Sequence, residues 1–108
     1  MTPPDTSIVK LLRAEEWAAF EAAGEFAGSA DDLRDGYIHI SPPDQVAGTA
    51  AKWFAGENGL MAVTFDAATL GPDLRWEPAR GGVLFPHLYR PLRLDEVVSA
   101  TLYNGSEA

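Results

Sequence analysis

The chain has 108 residues, 46% of them hydrophobic, a size and composition at which one domain can bury its own apolar core. It contains no cysteine, which excludes disulfides, thiolate catalysis and cysteine-ligated zinc. Its formal net charge of −8 argues against non-specific nucleic-acid binding, which needs a basic face. We therefore expect one domain over residues 1–108, with its core at about residues 8–103.

No apolar run approaches the roughly 20 residues of a membrane span. The start of the chain, MTPPDTSIVK, lacks the basic and apolar regions of a signal peptide. We expect a cytoplasmic protein without membrane contact. The first few residues and the final NGSEA are expected to be frayed.

Two main helices are predicted in the first half of the chain. The segment IVKLL, at 8–12, reads as a strand. The spacing of Trp17, Phe20 and Gly24 predicts a helix over about 14–23 that ends at Gly24.

The second predicted helix follows a polar segment and a strand. AGSADDLRDG, at 27–36, consists largely of turn-forming residues and is predicted to be a connection. A strand at 37–40 then leads into a helix with Ser41 as its N-cap and Asp44 at its third position, as in a capping box. This helix is expected to end near Gly56.

The second half of the chain is predicted to be rich in strands. LMAVTFD, at 60–66, reads as a buried strand. The further short strands are LRWE, VLF, HLY and VVSATLY. Because helices come early and strands cluster late, we expect an α+β fold with a small mixed or antiparallel split sheet and two main helices in the N-terminal half.

The strand DGYIHIS carries one of only two histidines. Successive side chains of a strand point to opposite faces, so Tyr37, His39 and Ser41 share one face while Ile38 and Ile40 share the other. The polar face is a candidate site. A hydrogen-bonded structural histidine is the alternative.

A second candidate segment is RWEPARGGVLFPHLYRPL, at 75–92. Here His87 and Tyr89 share one strand face, and Arg75 and Glu77 share another. The coincidence of both histidines with neighbouring tyrosines in two short segments favours one site.

The segment at 75–92 also contains a pair of glycines and several arginines. Gly81 and Gly82, after Arg80, let a ligand approach the backbone closely or simply turn a hairpin. Over residues 75–93, four arginines stand against Glu77 alone, a net charge of +3. Such an island suits a small anion such as a phosphate or pyrophosphate. Solvated or surface-paired arginines are the alternative.

Metal and hydrolase motifs are weak in this sequence. Both histidines with Glu77 or Asp66 would supply two imidazoles and one carboxylate, but neither an HxH nor an HxxxH pair occurs. No GxSxG elbow, P-loop or GxGxxG is present. We expect no metal.

These motifs carry two resemblances to known families. The runs IVKLLRAEEW, GYIHIS, FDAATLGPDLRWEPARGG and FPHLYRPL resemble the domain-of-unknown-function 952 family over roughly residues 8–98. More distantly, the order of a strand with HIS, a capped helix, a hydrophobic strand ending in Asp and a Gly-containing turn is similar to the RNA 2′-phosphotransferases. Those enzymes belong to the ADP-ribosyltransferase superfamily, which cleaves NAD.

The distant resemblance implies an ADP-ribosyltransferase-like fold with NAD as substrate. It places His39 where a ribose or phosphate is anchored, with Ser41 beside it, and Gly81 and Gly82 near a ligand-binding turn. The first strand departs from the phosphotransferase pattern, since it reads VKLL instead of Arg-His-Gly-Thr. Lys52 is the only base on the second helix, and Glu77 is a candidate catalytic glutamate.

The resulting hypothesis is an NAD- or ADP-ribose-type nucleotide-binding protein acting as an ADP-ribosyl- or phospho-transferase, with NAD in a cleft between the sheet halves. The candidate catalytic residues are His39, Glu77 and His87. The candidate ligand-binding residues are Lys10, Tyr37, Ser41, Arg75, Arg80, Gly81, Gly82, Tyr89 and Arg90.

Within that hypothesis, Lys10, Arg80 or Arg90 meets the pyrophosphate, and Tyr37 or Tyr89 stacks on a ring. Two alternatives stay open. One is a nucleotide-binding module without catalysis. The other is a homodimeric interaction domain in which the tryptophans serve packing.

Overall fold

The computed structural model of the protein describes residues 7–103, so the predicted fraying of both chain ends falls outside the described range. Eight strands and four α-helices lie within it. The strands are β1 (Ser7–Leu12), β2 (Glu25–Phe26), β3 (Ile38–His39), β4 (Met61–Asp66), β5 (Leu74–Pro78), β6 (Leu84–Leu88), β7 (Leu92–Arg93) and β8 (Val97–Leu102). The helices are α1 (Ala14–Ala23), α2 (Ala30–Asp35), α3 (Val46–Trp53) and α4 (Ala67–Leu70). The predicted α+β class is confirmed.

The described strands form three antiparallel sheets. Their strand orders are β1-β4-β8, β2-β7 and β3-β6-β5. The segments VLF and HLY, predicted as separate strands, belong largely to the single strand β6, which pairs with β3 on one side and β5 on the other. No helix of residues 7–103 is both long and apolar enough to cross a membrane.

The sheet β3-β6-β5 has one face in the core and one face outside it. Ile38 of β3 lies opposite Leu88 of β6, and Leu88 lies opposite Leu74 of β5. Ile38, Ile40 and Leu88 are buried and belong to the main hydrophobic cluster. Burying such a side chain stabilises the fold by roughly 1.5–3 kcal/mol. The pleat therefore fixes which side chains of this sheet face outward.

Helix α1 follows the sequence prediction closely. It spans Ala14–Ala23, and Gly24 ends it with φ 78°, in the left-handed region. The Gly24 amide donates to the Phe20 carbonyl at 2.8 Å. A glycine adopts this backbone conformation without the Cβ clash that other residues meet.

The segment 27–36, predicted to be a connection, instead contains helix α2, so that prediction was wrong. Ser29 caps this helix: its hydroxyl accepts from the Asp32 amide at 3.2 Å, and the Asp32 carboxylate accepts from the Ser29 amide at 2.9 Å. Gly36 ends the helix with φ 87°. The reciprocal capping box makes a helix of a segment that has almost no apolar periodicity.

The prediction that Ser41 caps the second main helix was also wrong. Ser41 pairs with Val9 through two backbone hydrogen bonds of 2.8 Å, which hold it in an extended bridge. A 3-10 turn at Pro43–Gln45 follows, and only then does α3 begin, at Val46. The Ser41 side chain is buried, and its hydroxyl hydrogen-bonds that of Thr49 at 2.8 Å.

Candidate functional site

Strand register brings both histidines together on the outward face of the sheet β3-β6-β5. His39 lies directly opposite His87, and His87 lies directly opposite Arg75. Two residues further along β5, on the same face as Arg75, is Glu77. The polar face of β3 and the outward faces of β6 and β5 therefore form one continuous surface.

Four rings form an aromatic cluster on this face: those of Tyr37, His39, His87 and Tyr89. Tyr37 stacks on His87, with ring centroids 4.1 Å apart and planes inclined by 26°. It also touches His39 and Tyr89, at centroid distances of 4.7 and 5.2 Å. The two imidazoles meet edge-on at 5.8 Å. Tyr37 is thus the centre of the cluster.

Glu77 binds two members of the cluster through one oxygen. Its Oε1 accepts from the Tyr89 hydroxyl at 2.7 Å and lies 2.7 Å from Nδ1 of His87. The hydrogen bond from Tyr89 lowers the pKa of Glu77 most, followed by the hydrogen bond from His87. The bond between Tyr89 and Glu77 also raises the pKa of Tyr89. Because the ionised carboxylate is only an acceptor, we assign the proton to Nδ1 of His87.

His39 is held by a second carboxylate, that of Asp32 in α2. Asp32 Oδ1 lies 2.6 Å from Nδ1 of His39 and accepts from the His39 amide at 3.0 Å. Asp32 Oδ2 accepts from the ammonium of Lys10 at 2.9 Å, and that ammonium also donates to the His39 carbonyl at 2.8 Å. Backbone and ring of His39 are therefore fixed by one buried ion pair.

Electrostatics keep the Asp32 carboxylate ionised although it is only 2% exposed. Burial alone would raise its pKa, but the hydrogen bond from the His39 ring and the charge of Lys10 outweigh burial and hold the pKa of Asp32 well below its usual value. Asp35, at the end of α2, lies 3.0 Å from Nε2 of His39. The hydrogen bond from Arg34 lowers the pKa of Asp35.

Tyr37 lies among these carboxylates. Burial raises the pKa of its hydroxyl, as do the charges of Asp35, Glu77 and Asp32. Its phenol therefore stays neutral.

A cavity of about 250 Å³ opens beside the aromatic cluster. Among the residues lining it are Tyr37, His39, His87, Lys52 and Trp53. A smaller cavity of about 80 Å³ lies on the α2 side of His39, between that helix and the end of α3. The side chain of His39 is 37% exposed and lines both cavities.

Of the cations that the sequence indicated as ligand-binding residues, Lys10 and Arg90 are engaged within the fold. Lys10 is buried in its ion pair with Asp32. Arg90 binds Glu96 at 2.7 Å and the Leu70 carbonyl at 2.9 Å, so its guanidinium ties loops together. The side chain of Arg80 lies outside the described part of the structure.

Two cations lie against aromatic rings near the site: Arg75, which the sequence indicated, and Lys52, which was not among the candidate site residues. The Arg75 guanidinium is 5.2 Å from the centroid of the Tyr89 ring, and the Lys52 ammonium is 5.4 Å from that of Trp53. Within the described residues, neither Arg75 nor Lys52 has a hydrogen bond or ion pair to a carboxylate.

Gly81 and Gly82 form the turn between β5 and β6. Both have left-handed φ values, 62° and 80°. The Gly82 amide donates to the Ala79 carbonyl at 3.0 Å, and the Ala79 amide donates to the Val83 carbonyl at 2.8 Å. The hairpin turn alone explains these glycines, and a ligand contact there stays a prediction.

Sequence reasoning missed Asp32 and Asp35, because both lie in the segment read as a connection. The signal that would have found α2 is Ser29-x-x-Asp32, a capping box. Ser41, in contrast, was included but lies buried against Thr49. No three His, Asp or Glu side chains of residues 7–103 are grouped to hold a metal ion.

Comparison with known proteins identifies relatives of this chain. It is 49% identical to protein CC0527 from Caulobacter crescentus, whose crystal structure superposes with a TM-score of 0.89 over 92% of this chain and 87% of that one. The solution structure of the same protein superposes with a TM-score of 0.82 at 49% identity, over 92% of this chain and 85% of that one. Comparison with curated proteins finds no significant match. The model of the DUF952 family, described as proteins of unknown function, matches residues 11–100, and the chain belongs to that family.

Proposed function

We propose that the protein binds an NAD- or ADP-ribose-type nucleotide over the aromatic cluster and acts on it as an ADP-ribosyl transferase. One observation carries the proposal: Tyr37, His39 and His87 line one cavity with their rings in contact, and the Glu77 carboxylate lies 2.7 Å from Nδ1 of that His87 ring. A nucleotide of this type presents flat rings that can stack on aromatic side chains and a ribose that can form hydrogen bonds. Its cleavage is assisted by a negative charge close to that ribose.

The ring of the ligand has an aromatic partner in Tyr37 or Tyr89. Tyr37 is held on one side by His87, so its position is fixed before a ligand arrives. Tyr89 is exposed, and its hydroxyl is anchored on Glu77. A pre-positioned ring gains stacking energy at little entropic expense.

The ribose has a polar partner in His39. Asp32 and Lys10 fix this residue through its ring, its amide and its carbonyl. The imidazole lines both cavities, and a ribose hydroxyl there would meet its Nε2 edge together with the Asp35 carboxylate, which lies 3.0 Å from Nε2. The similarity of the GYIHIS strand to the HIS-containing strand of the RNA 2′-phosphotransferases supports this role.

The phosphates have partners in Lys52 and Arg75. Lys52 lines the cavity, and Arg75 lies against the Tyr89 ring, where its charge also acts on Glu77. Neither has a close ion pair in the described part of the chain, whereas Lys10 and Arg90 are engaged within the fold. A cation without a close ion pair costs less to bring to a phosphate than one that must first break such a pair.

Glu77 supplies a negative charge close to the ribose, which becomes positive when nicotinamide departs. Loss of that base leaves an oxocarbenium-like carbon on the ribose, which a carboxylate stabilises by charge. The lowered pKa of Glu77, caused first by the Tyr89 hydrogen bond and then by that from His87, keeps the carboxylate ionised.

Binding without catalysis is the second candidate function. It is favoured by the engagement of Glu77 Oε1 in two hydrogen bonds and of Lys10 in a buried ion pair. A homodimeric interaction domain is favoured instead by the exposure of Trp53 and Trp76, at 52% and 42%. Trp17, in contrast, packs edge-on against Phe20.

Calorimetric titration of the protein with NAD⁺, ADP-ribose and nicotinamide tests the proposal, together with chromatographic detection of released nicotinamide. Binding of NAD⁺ with nicotinamide release supports a transferase or hydrolase. Binding without release supports the nucleotide-binding module. No binding of any of the three, combined with a dimer in light scattering, would favour the interaction domain and contradict the proposed function.

A further inference from the structure

His87 has a ring nitrogen that the fold does not use. Its Nδ1 is held by Glu77 at 2.7 Å, while no described residue hydrogen-bonds its Nε2. The side chain is only 7% exposed and lines the larger cavity. No fully buried side-chain nitrogen or oxygen of residues 7–103 lacks a partner, so Nε2 keeps some exposure, and we infer that it faces the cavity that His87 lines.

His39 differs from His87 in this respect. Carboxylate oxygens lie near both of its ring nitrogens, Asp32 at 2.6 Å from Nδ1 and Asp35 at 3.0 Å from Nε2. An approaching hydroxyl would meet a carboxylate beside His39 but an open lone pair at His87. The two histidines therefore have separate roles.

We propose that His87 is the general base of the reaction, accepting a proton at Nε2 from the hydroxyl that attacks the ribose, and that Glu77 positions it. This assignment rests on the proposed function and names the step that the function requires of this site. A carboxylate that accepts from Nδ1 fixes the tautomer and the ring orientation, and stabilises the imidazolium that forms on proton transfer.

The step balances with NAD⁺ and one hydroxyl compound. The bond between nicotinamide and C1′ of the ribose breaks, and its electron pair leaves with nicotinamide. The hydroxyl oxygen forms a new bond to C1′ while its proton passes to Nε2 of His87, from which it is later lost to solvent. No electrons enter or leave the reaction, and neither an oxidant nor a reductant is needed.

The acceptor is a small hydroxyl compound, with water as the simplest case. The cavity of about 250 Å³ must also take part of the nucleotide, which leaves little room for an acceptor beside His87. Tyr37 covers one face of His87, so only the Nε2 edge of the imidazole is open to an acceptor. A large acceptor would not reach this nitrogen.

Rate measurements on variants test the assignment, with nicotinamide release from NAD⁺ followed over a range of pH. General-base catalysis typically contributes 10²–10⁴-fold, so we expect His87→Gln to lower kcat by at least about 100-fold with KM changed less than threefold. The wild-type kcat should rise with pH, and this rise should vanish in the variant. Imidazole added to His87→Gly should restore part of the rate.

The groups that can shape the pH profile are Glu77 and Arg75 on β5, Tyr37 and His39 beside the ring, and Lys52 across the cavity. Glu77→Gln should lower kcat and shift the profile. Asp95→Asn is the matched control for it, since Asp95 loses the same charge but contacts only exposed Arg93. It should leave kcat and the profile unchanged.

Nitrogen NMR of the imidazoles tests the assignment of His87 as the base without requiring turnover. Wild type should show His87 protonated at Nδ1 and unprotonated at Nε2, a preference that Glu77→Gln weakens. A proton on Nε2 in wild type, or a His87→Gln variant with unchanged kcat and pH profile, would contradict the assignment of His87 as the base. If NAD⁺ binds but releases no nicotinamide, that assignment is contradicted while nucleotide binding stands. If NAD⁺ does not bind at all, the proposed function itself fails and the base fails with it.

Discussion

Tyr37 and His87 are stacked, with ring centroids 4.1 Å apart, although one precedes the short strand β3 and the other lies within β6. The contact explains how a histidine on the outward face of a sheet is only 7% exposed. Tyr37 covers one face of the imidazole, and Glu77 holds its Nδ1. Nε2 is therefore the ring nitrogen that has no partner among the described residues. The site is therefore assembled before a ligand arrives.

Replacing Tyr37 tests whether its ring recognises the nucleotide. Tyr37→Leu should weaken ADP-ribose binding by roughly 3- to 10-fold, because an aromatic contact contributes about 0.5–1.5 kcal/mol beyond area burial. Tyr37→Phe is the matched control, since it keeps the ring and should keep the affinity. Calorimetric titration of both variants measures the difference, and equal affinities for Leu and Phe would contradict a stacking role.

Asp32 should be a larger contributor to stability than its neighbour Asp31. Asp32→Asn leaves Lys10 in a buried position without an opposite charge, so we expect the free energy of unfolding to fall by about 3–5 kcal/mol. Asp31→Asn removes the same charge from the same helix, but Asp31 pairs only with exposed Arg34 and should change stability by less than about 1 kcal/mol.

Urea unfolding of the two aspartate variants measures this difference. Far-ultraviolet circular dichroism shows whether Asp32→Asn still folds. Equal denaturation midpoints for Asp31→Asn and Asp32→Asn would contradict the central role assigned to the Lys10–Asp32 pair.

Acid should destabilise the wild type through Asp32. The pKa of this carboxyl is lower in the folded protein than its ordinary value of 3.8, so the folded state favours the ionised form. The resulting stability is fully present well above pH 3.8 and is lost as the pH falls through and below that value, from about pH 5 downwards. Melting temperatures from pH 6 to pH 2 should fall in wild type, most steeply below pH 4, and less steeply in Asp32→Asn. Parallel slopes would assign the acid sensitivity to other carboxyls.

The sequence predicted the outward face of β3 well, because strand alternation depends only on local geometry. Ile38 and Ile40 enter the core, and Tyr37 and His39 stay on the other face. The pairing of His39 with His87 could not be read from alternation, since register is set by partners distant in the chain.

The polar half of the site was harder to predict. Asp32 acts through Lys10 and His39, which lie 22 positions before it and 7 after it, and no local pattern announces such a contact. Arg90 illustrates the opposite error. Its place in a basic segment indicated an anion site, but Glu96 and the Leu70 carbonyl bind it. Net charge over a segment does not reveal which cations already have partners.

Lys52 and Arg75 should supply the ionic part of nucleotide binding. Lys52→Gln with Arg75→Gln should weaken ADP-ribose binding by roughly 10-fold at low salt and flatten its salt dependence, because two charge contacts are removed. Arg93→Gln is the control, since Arg93 is exposed and pairs with Asp95. Titrations at two salt concentrations compare the variants. A double variant with wild-type affinity would move phosphate recognition elsewhere on the surface.

Nitrogen–proton NMR of the two histidine rings during titration with ADP-ribose and NAD⁺ tests the central claim most directly. Only His39 and His87 give imidazole signals in this chain, so each response belongs to the cluster. We expect both rings to shift saturably in wild type. His39→Ala should weaken binding and should also lower the melting temperature, because buried Asp32 loses its hydrogen bond from the His39 ring. Imidazole signals that stay unchanged over the whole titration, or a folded His39→Ala variant that binds as well as wild type, would contradict the account.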